Sequence, residues 1–135
     1  MKYKYHKILF TALISLLSSN IIYAEDCKAS EDSSRLTVAG GSLTEIVYLL
    51  GQEKKLIAVD ITSNYPDKAK ELPSIGYVRA LSAEGVLSLS PTLILGENDM
   101  GPPAVIEQLD RVGVQIEIIP EENTAKGIIN KVECV

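Results

Sequence analysis

The sequence predicts a small α/β domain built on a parallel, doubly wound sheet. Three observations lead there. Short β-rich runs recur at Arg35–Ala39, Leu56–Val59, Thr92–Leu95 and Gln115–Ile119. The segments between them carry apolar residues at helical spacing. The first three elements read strand, helix, strand, a βαβ unit that implies parallel pairing and a right-handed crossover.

Met1–Ala24 reads as a secretory signal peptide. Lys2, Lys4 and Lys7 form a positive n-region, Ile8–Leu17 is an apolar stretch too short to span a bilayer, and Ala24 is a small residue before a cut. An uncleaved anchor is the alternative. The residues before Cys27, Ala24-Glu25-Asp26, are not the small apolar run of a lipid-anchoring signal, so a soluble exported chain is expected. Glu25–Ser34 is polar and reads as a flexible leader. The folded domain is expected over residues 35–123.

Arg35–Ala39 forms the first strand and ends in Gly40-Gly41. Ser42-x-x-Glu45 has the form of a capping box, so a helix should start there, with Leu43, Ile46, Val47 and Leu50 on one face and Gly51 as its stop. Leu56–Val59 is the second strand, ending at Asp60. Ile61–Leu81 is long and turn-rich, with one helical turn at Pro66–Lys70; loops of this length in compact domains are usually functional or mobile. It leaves a parallel strand, which places it at the carboxyl edge of the sheet, where open α/β folds bind ligands. Ser82 caps a short helix to about Ser88, and Thr92–Leu95 follows as a strand. Gly96–Pro103 is a second loop at the same edge. Pro103 suits the first turn of a helix striped by Val105, Leu109 and Val112, with Gly113 at its end. Gln115–Ile119 is the fourth strand, and a last helix begins at Thr124 and runs on through residues 124–135.

Composition removes several functions. With the signal go His6 and Phe10, the only histidine and phenylalanine, and the net charge moves from −5 to −8. No histidine-built metal site or Ser-His-Asp triad is then possible within the chain, and so acidic a domain is no nucleic-acid binder. About 111 residues remain, enough for one small domain and not for two lobes. Cys27 and Cys134 lie near its two ends. They can pair in an oxidising compartment or stand as two separate thiols, and spacing does not decide between these.

The stretch with most chemistry is Ser74–Leu89. It places Tyr77 in a glycine-led loop with Arg79 two residues on, so that both project to one side if the backbone is extended. A guanidinium beside a phenol favours the phenolate, a hard oxygen donor and a known axial ligand of haem iron. The plain alternative is a tyrosine packing its ring under a loop. Gly40-Gly41-Ser42 followed by Asp60 is a partial dinucleotide fingerprint, but the further glycine is replaced by Ser42-Leu43-Thr44 and the pattern fails. The helix start at Ser42 can still receive an anion through free N–H groups. Glu84, in the first turn of its helix, complements the helix dipole. Glu97, Asp99 and Met100 form an acidic loop without calcium-loop spacing; they are expected to be solvated, with Met100 a weak candidate for a second iron ligand.

Gly76-Tyr77-Val78-Arg79-Ala80-Leu81-Ser82-Ala83-Glu84-Gly85 resembles the signature loop of the periplasmic haem-binding proteins of bacterial haem ABC importers, with Val78 where methionine is more usual. The likeness extends through Val38–Glu45 and Asp60, then Leu87–Thr92 and Gly101-Pro102-Pro103, covering roughly Arg35 to Thr124. The resemblance implies the N-terminal lobe of a two-lobed periplasmic binding protein, with 124–135 as the start of a truncated inter-lobe helix. It implies binding and delivery rather than catalysis. On this resemblance ferric haem is the expected transported ligand, with Tyr77 its axial ligand and Arg79 stabilising the phenolate. Tyr65, Gly41 and Ser42 are pocket-wall candidates, and Glu84 docks on the permease of an ABC importer. The resemblance also admits an outer-membrane haem receptor system as a further partner. A corrinoid or a ferric siderophore is the alternative ligand on the same fold. A small secreted α/β enzyme is disfavoured by the missing histidine and nucleophile elbow.

Overall fold

A computed structural model describes residues 27–135; the signal-peptide reading of Met1–Ala24 lies outside them. Four strands, β1 (Leu36–Ala39), β2 (Leu56–Val59), β5 (Leu93–Gly96) and β6 (Gln115–Ile118), form one parallel sheet in the order β2-β1-β5-β6. The predicted α/β class and all four strands are present. β1 and β5 lie inside the sheet and are buried at every residue, as strands covered on both faces must be.

Alternation along the strands splits the core in two. Leu36, Val38, Leu93 and Leu95 face one side, packing with Leu43 and Val47 of helix α1 (Gly41–Leu49). Ala39, Ala58 and Ile94 face the other. There they meet Val86 of α2 (Ala83–Leu87), Leu109 of α3 (Pro103–Arg111) and the buried Met100. The last helix, α4 (Ala125–Cys134), starts at Thr124, whose side chain accepts a hydrogen bond from Gly127 N.

Several expectations change. Ser42 is not a cap: α1 begins at Gly41, Gly40 stands at the cap position, and no side chain caps the helix. A Ser-x-x-Glu pattern has the right chemistry, but the glycine turn starts the helix first. Val112 is exposed, so the stripe of α3 ends at Leu109. The Ile61–Leu81 loop contains the expected helical turn, as a 3₁₀ segment Asp67–Glu71, and also a small unpredicted hairpin, β3 (Gly76–Tyr77) with β4 (Ala80–Leu81). Residues 27–34, read as a leader, lack regular structure but are tied down. Cys27 is disulfide-bonded to Cys134 with Cα atoms 5.4 Å apart, and Glu31 N donates to Gln115 Oε1 at 2.9 Å. The cysteines are therefore paired, the outcome that spacing alone left open.

Candidate functional site

Loops leaving the carboxyl ends of the four strands gather at one edge, built around a buried carboxylate. Asp60, 2% exposed, accepts hydrogen bonds from Gly40 N at 3.1 Å, Thr62 Oγ1 at 2.8 Å and Ser63 Oγ at 3.0 Å. These bonds fix the glycine turn to the loop after β2. The acid that completes a dinucleotide-like spacing is thus consumed in shaping the edge. Gly40 has φ +144°, and a Cβ there would lie 2.6 Å from the Glu97 side chain, so the position requires glycine.

Glu97 accordingly lies over the start of α1, where an anion complements the helix dipole. Ser42 Oγ donates to its Oε1 at 2.5 Å. From α4, Lys131 Nζ donates to Ser42 Oγ at 2.6 Å and to Glu97 Oε1 at 3.1 Å, and reaches Glu121 Oε1 at 3.4 Å. The Lys131 side chain is 8% exposed and that of Glu97 17%. Glu97 was expected to be solvated; it is a paired, largely covered charge, because a lysine from the far end of the chain is buried against it. Sequence reasoning missed Lys131. Its signal was a lysine four residues after the buried Gly127, on the inward face of α4.

The hairpin brings Tyr77 and Arg79 to the same edge. Val78, 4% exposed, anchors the two-residue turn in the core. The turn is bonded to the loop after β5 by Gly101 N to Val78 O and Leu81 N to Gly101 O, each 2.9 Å. Tyr77 remains 40% exposed, and its hydroxyl has no hydrogen-bond partner among the described residues. Arg79 Nε donates to Asp99 Oδ2 at 2.6 Å. That bond first, then the Asp99 charge, then Tyr77, raise the guanidinium's pKa further above its ordinary value. Asp99 is thus an ion-pair partner, not the freely solvated carboxylate expected. Met100 is buried beneath the loop, among the core residues of the α2–α3 face, and takes no part in the exposed surface around Tyr77.

The remaining candidates lie on other elements than the hairpin. Tyr65 is exposed and lines a groove of about 750 Å³ between α1 and α4, with Tyr48, Leu49, Ile128 and Val132. Gly41 N donates to Thr62 Oγ1 at 3.0 Å, and Ser42 is held by Glu97 and Lys131. Glu84 is exposed in the first turn of α2, whose cap is Ser82 accepting from Gly85 N at 3.3 Å. No group of three or more His, Cys, Asp or Glu side chains able to hold a metal ion occurs among the described residues.

Comparison with known proteins places this edge in context. Residues 36–135 match the model of a family described as periplasmic binding protein. A solved periplasmic heme-binding protein from Pseudomonas aeruginosa is 44% identical with a TM-score of 0.69, covering 73% of this chain and 37% of that one. A periplasmic heme-binding protein of Vibrio cholerae is 38% identical, with a TM-score of 0.70 and coverage of 76% and 39%. Among curated proteins, a vitamin B12-binding protein of Vibrio campbellii is 28% identical over 113 residues, 84% of this chain and 41% of its own length. The chain thus spans about two fifths of the length of these relatives. A match running from the first strand through the last helix is decisive at this level, and the chain belongs to the periplasmic binding protein family.

Proposed function

We propose that this chain binds ferric haem in the periplasm and serves the delivery of that cargo to the permease of an ABC importer. The observation that carries the proposal is the hairpin. It presents an exposed phenol without a hydrogen-bond partner among the described residues, beside a guanidinium held by Asp99, at the edge where this sheet type binds ligands. Tyr77 ligates the iron through its phenolate oxygen, and Arg79 lies close enough to stabilise that negative charge. The likeness to two heme-binding proteins at 38–44% identity supports haem as the cargo.

Tyr65 adds an aromatic wall on the α1–α4 side of the edge. Gly41 and Ser42 contribute backbone at the start of α1; their direct contact with a ligand carboxylate requires Glu97 to yield its place. Glu84, exposed on α2, is the docking residue toward the permease, and an outer-membrane haem receptor is the upstream partner. The work is binding, with no bond made or broken in the cargo.

A second reading is a corrinoid cargo, favoured by the vitamin B12-binding relatives among curated proteins. Titration of the chain with hemin and with cobalamin, beside Tyr77→Phe, separates the two. A saturable tyrosinate-type ferric haem spectrum that Tyr77→Phe loses is the expected result. Equal hemin spectra for both proteins overturn Tyr77 as ligand, and cobalamin binding without hemin binding establishes the second reading.

A further inference from the structure

Both partners of the Arg79–Asp99 pair rise from rigid backbone. Arg79 follows the buried Val78 in a two-residue turn. Asp99 precedes the buried Met100, whose N–H donates to Glu97 O at 2.9 Å, and Gly101 bonds the hairpin in both directions. Only Nε of Arg79 is engaged; among the described residues neither Nη group makes a hydrogen bond. The side chains are 63% and 38% exposed, and an ion pair so open to water contributes little to stability. What a short Nε–carboxylate bond does accomplish is orientation. It fixes one edge of a planar fork and leaves the other free to donate.

We infer that Asp99 is a positioning residue of the ligand site: it holds Arg79 by Nε so that the free Nη edge is offered to the oxygen atoms assembled at Tyr77. This rests on the haem reading above. Without Asp99 the guanidinium samples many rotamers, and each bond it makes to the bound state must first bear that lost freedom. Asp99 also has a conservative replacement: asparagine keeps an oxygen that accepts from Nε and drops the charge.

The test is hemin titration of the chain and its variants Asp99→Ala, Asp99→Asn, Arg79→Ala and Tyr77→Phe, with visible and resonance Raman spectra of the iron–phenolate band. In Asp99→Ala we expect affinity to fall about tenfold, the effect of losing one charge-assisted bond, with a shifted band. Asp99→Asn should restore most of both. Arg79→Ala should lose at least as much as Asp99→Ala, and the double variant should be no worse than Arg79→Ala alone, as for a residue that acts only through another. Wild-type affinity and band in Asp99→Ala, with Tyr77→Phe inert, would overturn the positioning role and leave the haem reading standing. Equal binding by Tyr77→Phe and wild type would overturn both.

Discussion

Lys131 Nζ lies 2.6 Å from Ser42 Oγ, joining the last helix to the first across 89 residues of chain. The lysine is nearly covered, and its partner Glu97 is too. A buried pair gains little over an apolar pair of the same shape, yet is costly to break on one side, because the surviving charge stays desolvated.

Lys131→Ala should therefore destabilise the fold by about 3–5 kcal/mol, read as a lower urea midpoint. Lys131→Met combined with Glu97→Gln should recover most of that loss, since neither replacement leaves a charge behind. Equal losses in the single and double variants would mean that the pair itself, and not the orphaned carboxylate, was the source.

Gly40 sits at φ +144° beneath Glu97. Gly40→Ala should cost about 2–3 kcal/mol or more, from backbone strain plus displacement of the Glu97 side chain. Against a Glu97→Ala background, which is itself destabilised by the orphaned Lys131, Gly40→Ala should cost only the backbone part. Thermal melts of the three variants check this: no added loss in Gly40→Ala would contradict the crowding.

The Cys27–Cys134 disulfide spans a sequence separation of 107 residues. Its removal, by reduction or by the Cys27→Ser/Cys134→Ser variant, should lower stability by about 2–5 kcal/mol through the freedom returned to the unfolded chain. Denaturant unfolding with and without dithiothreitol measures it.

Local chemistry made much of the fold legible. Leu56–Val59 is a run of apolar residues bounded by turns, Ser82 is a cap that accepts the bond its hydroxyl suggested, the last helix starts at Thr124, and Pro103 opens its helix. The hairpin escaped because strands of two residues show no periodicity; Val78 buried between exposed neighbours was its only trace. Ser42 misled because hydroxyl and glutamate spacing cannot reveal that the glycine turn starts the helix one residue earlier, leaving the Ser42 oxygen to Glu97 and Lys131. The same long range hid the partners of Glu97 and Asp99: a carboxylate in a loop looks solvated until the chain folds a cation onto it. At the site, Tyr77 and Arg79 were found as a pair of residue types, while the partner that holds the arginine was visible only in three dimensions.

The disulfide also bears on the order in which the molecule is made. A chain threaded through a membrane from its amino end delivers Cys27 first. Its partner follows only after every strand of the sheet has emerged, because Cys134 lies beyond β6. Until then Cys27 is a thiol without its native partner, exposed to any oxidant and to any neighbouring nascent chain. Closure of this bond thus waits on the emergence of every strand it encloses.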